Sequence, residues 1–277
     1  MSNNNSPGIP NILLSGKPLS LLEQRYFIEL SFKGTAYNGW QMQPNAPSVQ
    51  QTTQDALSLL LKEKIRLTGA GRTDTGVHAS YFVAHFICKS NLPEPAAEIV
   101  RKLNHMLPHD IAIISIFPVR PNNHSRFSAL SRTYKYYISR KKDPFRQETS
   151  YHLSALLDVN AMNRAAEELI KHNDFRSFCR TNSSVKTHIC HIEYAGWEED
   201  DNMLIFTIKA DRFLRNMVRA IVGTMLDIGC GKLSETGFRK VIEARDRRRA
   251  GTSAPAQGLF LTGIEYPDGI FNLCKTD

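Results

Sequence analysis

A short glycine-rich segment contains the side chains best suited to catalysis. Residues 69–78 place three glycines around Arg72 and Asp74. Glycine lets the backbone turn sharply and lets a ligand approach without a Cβ in the way, and catalytic groups often lie on loops held by rigid strands. The same sequence also suits an Asx-type turn in which Asp74 bonds only its own backbone. The segment alone leaves both interpretations open.

The first half of the chain predicts strands and helices in alternation around this segment. Four strands are predicted from hydrophobic alternation or short apolar runs, at residues 26–32, 65–68, 81–87 and 111–117. Ser48 and Gln51 form a capping box before a helical stripe. Residues 93–106 have helical spacing that Pro108 ends. The glycine-rich segment is therefore expected to connect two strands.

The second half of the chain also predicts strands and helices. Strands are predicted at residues 132–139, at 187–197 and 203–210 as a hairpin across an acidic turn, and at 258–266. Asp158 and Ser234 are positioned to begin two helices. A strongly apolar helix over residues 213–228 is predicted to carry Arg215 and Arg219.

These elements predict an α+β fold of two similar halves, each a mixed or antiparallel sheet backed by helices. The chain is expected to divide into a flexible extension (1–20), an N-terminal half with the catalytic loop (21–125) and a C-terminal half (126–277). The boundary falls in a region where prolines and asparagines interrupt the pattern.

Composition restricts the class of partner. The formal net charge is +8 and the pI is near 9.3, which favours a polyanion. Nucleic acid is preferred over anionic lipid because no basic amphipathic helix is visible, although a basic pI can also serve solubility alone. No apolar run is long enough for a membrane span. The five cysteines form no C-x-x-C pair, so a reduced cytoplasmic protein without a metal site is expected.

Five motifs, in order, resemble those of the tRNA pseudouridine synthase A family over nearly the whole chain from residue 25. They are GTAYNGWQ (34–41), GRTDTGVHA (71–79), RFSA with RTY (126–129 and 132–134), MVR with VG (217–219 and 222–223) and APAQGL (254–259). Two residues depart from the family pattern. Lys33 replaces an acidic residue and is expected to alter only a turn, whereas Cys190 replaces an arginine and is expected to remove one RNA phosphate contact.

The resemblance implies an RRM- or ferredoxin-like pseudouridine synthase fold with a basic central cleft. It implies isomerisation of uridine in the anticodon stem-loop of tRNA, at positions 38–40, by a homodimer. Asp74 is then the nucleophile, Arg219 pairs with it, Arg72 assists extrusion of the target, and Tyr134 and Leu259 contact the uracil. The reaction adds and removes no group or electron, so no cofactor is expected, and a single carboxylate can attack and later depart. Whether Asp74 attacks the sugar, attacks the base or removes a sugar proton stays open.

Each assignment has an ordinary structural alternative. Arg219 could extend to water from an apolar helix, Arg72 could bond loop carbonyls, and Tyr134 and Leu259 could simply be core residues. Basic residues between 239 and 249 form the densest basic patch, in which Arg245, Arg248 and Arg249 are predicted to bind RNA phosphates. A solvated helix face would look the same.

Two other functions compete with the isomerase. A noncatalytic RNA-binding protein would also be basic, although no RNP1-type aromatic run is present. An N-glycoside hydrolase would share the carboxylate nucleophile, but it usually needs a second acid, and no paired-carboxylate motif is visible.

Overall fold

The computed structural model describes residues 23–89, 91–181 and 185–271. Within these ranges the chain forms nine strands and five α-helices. The strands are β1 (Gln24–Phe32), β2 (Thr68–Gly69), β3 (His78–Cys88), β4 (Ile111–Val119), β5 (Ser131–Ser139), β6 (Tyr151–His152), β7 (Ile192–Asp200), β8 (Met203–Ala210) and β9 (Leu259–Glu265). The helices are α1 (Val49–Leu61), α2 (Ala96–Met106), α3 (Val159–Ile170), α4 (Met217–Gly229) and α5 (Glu235–Glu243).

All nine strands belong to one mixed sheet. Its main order is β4-β1-β3-β9-β5-β8-β7, with β2 added to β3 and β6 added to β5. Neighbours on the main path are antiparallel except β3 and β9, which run parallel. The α+β prediction is therefore confirmed, and the two halves share a single sheet in which β9 is the connecting strand.

Two hydrophobic clusters stabilise the fold. One packs β1, β3 and β4 against α1 and α2, around residues such as Phe27, Phe82 and Leu103. The other packs β5, β7 and β8 with α3, α4 and α5, around residues such as Phe206 and Phe238. Burying each such side chain contributes roughly 1.5–3 kcal/mol. The predicted half boundary at residue 125 stays a prediction.

Three predicted helix starts are confirmed at the level of single hydrogen bonds. The side chain of Ser48 accepts from the backbone N–H of Gln51. Asp158 accepts from Ala161, and Ser234 accepts from Gly237, at the starts of α3 and α5. Each cap satisfies an N–H that has no partner within its helix, and such a cap contributes about 1 kcal/mol.

Three predicted boundaries are wrong, each for a local reason. Residues 65–67 are not a strand, because Gln54 and Gln50 side chains bond the N–H and C=O of Leu67 (3.1 and 2.8 Å) in place of a neighbouring strand. The hairpin strand begins at Ile192 because residues 188–190 bond to residues 173–175 instead.

The third correction bears on the site. Helix α4 begins at Met217, not at residue 213, because Asn216 has a left-handed backbone with φ of 64°. Arg215 therefore lies in the turn before the helix, whereas Arg219 lies on its first turn. Asparagine is among the few side chains that adopt this conformation readily.

The predicted extension, residues 1–20, lies outside the described residues. In the part of the chain that is described, no helix has the length and apolar character needed to span a membrane.

Candidate active site

The glycine-rich loop is fixed by the segment after β1. The hydroxyl of Thr73 accepts a hydrogen bond from the backbone N–H of Trp40 (3.0 Å). Gly39 has φ of +85°, and a Cβ there would lie 2.2 Å from the carbonyl oxygen of Thr73. A Cβ at Gly34 would lie 2.0 Å from the carbonyl oxygen of Val77. The N–H of Gly34 donates to Nδ1 of His78 (2.9 Å). The two segments are therefore packed backbone against backbone, as only glycine allows.

Asp74 lies in a turn between β2 and β3. The N–H of Val77 bonds to the carbonyl oxygen of Asp74 (3.1 Å), and Gly76, with φ of +76°, turns the chain into β3. Among the described residues, none donates a backbone hydrogen bond to the Asp74 carboxylate, so the Asx-turn alternative is not what the loop forms. The side chain is about a quarter exposed and faces a cleft.

Two arginines approach the Asp74 carboxylate from α4 and the turn before it. Arg219 Nη1 lies 3.8 Å from Oδ2, and Arg215 Nε lies 3.9 Å from Oδ1. Arg219 is held rigidly, because its Nε donates to the carbonyl oxygen of Ala254 (2.7 Å) and the N–H of Ala254 donates to the carbonyl oxygen of Arg219 (2.9 Å). Its guanidinium does not extend to water from an apolar helix. The two guanidinium groups therefore place positive charge on either side of the carboxylate.

Tyr134 and Leu259 lie together in an adjoining cavity of about 370 Å³, which is lined by apolar side chains together with four arginines, Arg72, Arg126, Arg132 and Arg212. Asp74 borders this cavity as well. Tyr134 packs edge-on against Phe213, with ring centroids 5.1 Å apart. Burial, and then the negative charge of Asp74, raise the pKa of the Tyr134 phenol, so it stays protonated at neutral pH. A flat base can stack on an aromatic wall such as the ring of Tyr134.

Arg72 and Arg132 have opposite roles in the loop. Arg72 is exposed, lines both cavities and makes no hydrogen bond or ion pair with the described residues. Arg132 is the arginine that bonds loop carbonyls: its guanidinium donates to the oxygens of Ala70 (3.3 Å) and Arg126 (2.6 Å). Bonding of the loop carbonyls, considered as an alternative role for Arg72, is thus carried out by Arg132. Arg72 is left available for a ligand.

The cleft in front of Asp74 is open and rich in arginine. It has a volume of about 630 Å³. Five arginines line it: Arg72, Arg180, Arg215, Arg219 and Arg247. Among the described residues that line this cleft and the adjoining cavity, Asp74 is the sole carboxylate. Such a lining suits a ligand that carries several negative charges.

The predicted phosphate-binding arginines lie beside this cleft but are partly engaged. Arg245 pairs with Asp174 at 3.2 Å, and Arg248 pairs with Asp246 at 2.7 Å. The same Arg248 contact lowers the pKa of Asp246 to about 2. Arg249 is exposed. These ion pairs are at the surface, where such pairs contribute little, so they do not prevent an exchange for phosphate.

Two further sequence expectations have structural outcomes. Cys190 is fully buried, and burial raises the pKa of its thiol to about 12. Its position therefore offers no surface for a phosphate contact. Lys33 is exposed and pairs with Glu148. No group of three or more potential metal ligands (His, Cys, Asp or Glu) occurs in residues 23–89, 91–181 and 185–271.

The comparison with known families identifies the chain's relatives. A family model described as tRNA pseudouridine synthase matches residues 30–128 and 165–267. The chain belongs to the tRNA pseudouridine synthase family. Membership places it among isomerases that act on uridine in tRNA, and the resemblance carried by the five motifs is confirmed. The noncatalytic alternative is disfavoured because the family consists of enzymes.

Individual relatives agree over nearly their full length. The tRNA pseudouridine synthase A of Parabacteroides distasonis is 51% identical over 251 residues, which cover 90% of this chain and 98% of the relative. The tRNA pseudouridine synthase A of Bacteroides thetaiotaomicron is also 51% identical, and the match covers 90% of this chain and 93% of the relative. A more distant relative from Acetivibrio thermocellus is 41% identical, covering 86% and 97%.

Within this family site, sequence reasoning missed two residues. Arg215 was predicted only as a member of the α4 helix, and its approach to Asp74 depends on the left-handed turn at Asn216. Arg132 was noted as part of the RTY motif but not for holding the glycine-rich loop. An asparagine followed by a helical stripe could have suggested the turn, whereas the bonds of Arg132 to distant carbonyls leave no signal in the sequence.

Proposed function

We propose that this protein converts uridine to pseudouridine in the anticodon stem-loop of tRNA, at positions 38–40, with Asp74 as the nucleophile. The observation that carries the proposal is a single carboxylate held between two guanidinium groups, at 3.8 and 3.9 Å, at the junction of an arginine-lined cleft and the cavity that contains Tyr134 and Leu259. The cleft suits the sugar-phosphate chain, and the cavity suits the base.

The reaction requires three things from the site. The target uridine must leave its stack, at a cost of a few kcal/mol, and exposed Arg72 is placed to occupy the gap. The base must be held while its bond to the sugar breaks, which Tyr134 and Leu259 can do from the cavity wall. Asp74 attacks as the carboxylate anion beside Arg219, at 3.8 Å, and is later displaced. After the base turns, its C5 carbon bonds to C1′ of the sugar in place of N1. C5 loses a proton and N1 gains one, so atoms and electrons balance without a cofactor.

The absence of a second acid in the described lining separates this reaction from hydrolysis. Glycoside hydrolases usually need a second carboxyl group to handle water or the leaving group. Here Asp74 is flanked by arginines, and the described wall of the adjoining cavity contributes no further carboxylate. The geometry therefore supports retention of the base and its return to the sugar.

The decisive experiment follows tritium released from uridine labelled at C5 of the base. Wild type and Asp74→Asn are compared on tRNA, and on tRNAs in which each of positions 38, 39 and 40 is changed in turn. We expect the variant to lose turnover while it still binds tRNA, and release to fall when those uridines are replaced. Turnover in the variant would reject the nucleophile, free uracil would indicate a hydrolase, and unchanged release would reject the positions.

We also propose that the protein acts as a cytoplasmic homodimer. Support comes from the cysteine usage and from the family resemblance. Light scattering of the purified protein, alone and with tRNA, tests the assembly: a mass near one chain in both samples would contradict it. Cell fractionation tests the compartment.

A further inference from the structure

The two arginines that approach Asp74 are themselves held very differently. Arg219 is 21% exposed, lies on α4 and is fastened to Ala254 through its Nε. Arg215 is 57% exposed and lies in the turn before the helix. Among the described residues, the 3.9 Å approach to Asp74 is the only ion pair of the Arg215 side chain, which makes no hydrogen bond to them. Arg219 is therefore a fixed partner, and Arg215 is a partner that can leave.

The contact between Arg215 and Asp74 is easily exchanged. At 3.9 Å it is too long for a hydrogen bond, and ion pairs this exposed contribute about 0–1 kcal/mol. The backbone, in contrast, is anchored, because the carbonyl oxygen of Arg215 accepts the N–H of Arg180 (3.0 Å). The side chain can thus swing while its point of attachment stays in place beside the cleft.

The geometry of a nucleotide places a better ligand within reach. Arg215 and Asp74 line the same cleft of about 630 Å³. If Asp74 attacks an extruded nucleotide, the phosphates of that nucleotide must enter the cleft too, since only the sugar separates them from the base. A phosphate diester accepts two parallel N–H bonds from a guanidinium, a stronger contact than the single long approach to Asp74.

We propose that Arg215 forms a phosphate subsite for the extruded nucleotide. On arrival of the RNA, Arg215 moves from Oδ1 of Asp74 to a phosphate flanking the target uridine. Asp74 is then held by Arg219 alone, with Oδ1 free to react. The inference rests on the proposed function and adds to it a residue that links arrival of the substrate to exposure of the nucleophile.

A chemical double-mutant cycle tests this exchange. Wild type, Arg215→Gln and Arg215→Lys are titrated with anticodon arms in which the phosphate on the 5′ or 3′ side of the target is a neutral methylphosphonate. Arg101→Gln is the control, because Arg101 is an exposed arginine of α2 outside the lining of both cavities. Binding is measured by fluorescence, and turnover by tritium release from the same samples.

We expect Arg215→Gln to weaken binding of the normal arm about tenfold and to reduce the slope of log affinity against log salt by about one. One methylphosphonate should weaken wild-type binding similarly but leave Arg215→Gln unchanged, because both remove the same contact. Arg215→Lys should be intermediate, with turnover at saturation within about threefold of wild type, and the control should match wild type.

If the affinity losses caused by Arg215→Gln and by the methylphosphonate multiply at both phosphate positions, the subsite is overturned, whatever the turnover. An unchanged salt slope, or a loss of turnover in Arg215→Gln without a loss of affinity, would overturn it as well. Failure of wild type to form pseudouridine would instead overturn the proposed function, because binding is measured independently of chemistry.

Discussion

Replacing Arg219 with glutamine tests how the Asp74 carboxylate is kept in position. Arg219 Nη1 lies 3.8 Å from Oδ2 of Asp74, and Nε donates to Ala254 at 2.7 Å. Glutamine is shorter and neutral, so the ion pair is lost. The backbone bond from Ala254 to residue 219 does not depend on the side chain, so the helix is expected to keep its place.

The magnitude follows from the geometry. Two unit charges 3.8 Å apart attract by about 4 kcal/mol at an effective dielectric constant of about 20. The two side chains are 21% and 24% exposed, and solvent-screened pairs contribute about 0–1 kcal/mol, so about 1 kcal/mol is taken as the energy that holds the carboxylate in place. If Asp74 leaves its attacking position more easily by that amount, the rate of the chemical step falls about fivefold.

The assay is single-turnover tritium release with enzyme in excess over tRNA, so that the chemical step is separated from binding. Arg219→Lys is the matched variant, because it keeps the charge and loses the fork; a smaller decrease is expected. Thermal melting of both variants checks that they fold. A folded glutamine variant with the wild-type rate, or a lysine variant slower than the glutamine variant, would refute the reasoning.

Two further predictions concern the loop and the acid stability of the fold. Gly39→Ala combines a strained φ of +85° with a Cβ 2.2 Å from the carbonyl oxygen of Thr73, so it should destabilise the fold by roughly 1–3 kcal/mol and reduce turnover. Gly71→Ala is the control, because a Cβ there meets no atom within 4 Å, and its urea unfolding should be almost unchanged. Equal destabilisation by the two substitutions would contradict the close packing at Gly39. Burial, and then the charges of His124 and Arg25, lower the pKa of His85 to about 4, below the value of about 6.5 in an unfolded chain. This group therefore contributes stability above pH 6.5 that is lost as the pH falls towards 4, by about 3 kcal/mol, and urea unfolding of His85→Gln should depend less on pH over that range.

Sequence patterns predicted those parts of the site that lie within single segments. The glycine-rich loop, the caps at Ser48, Asp158 and Ser234, and most strand positions depend on residues close together in the chain, so local periodicity and capping chemistry are sufficient. The bond between Arg132 and the carbonyl of Ala70 joins positions far apart in sequence, and no local pattern contains it.

The errors at α4 and at residues 65–67 have a common origin. In both places polar side chains or backbone conformation override the hydrophobic pattern: Asn216 turns left-handed before the helix, and Gln50 and Gln54 bond the backbone of Leu67. The hydrophobic pattern correctly marked Ile65, Leu67 and Leu214 as buried. It did not show which backbone groups had already found partners.

The central position of β9 has a consequence for folding of the protein during its synthesis on the ribosome. Strands β4, β1 and β3 can pair early, and β5, β8 and β7 can pair later, but on the main path of the sheet only β9 bridges the two sets. Leu259, on the wall of the cavity beside Asp74, arrives with that strand. Chains whose synthesis stops before residue 259 should therefore contain two separate sheets and an incomplete cavity. Such truncated chains should be unable to modify RNA.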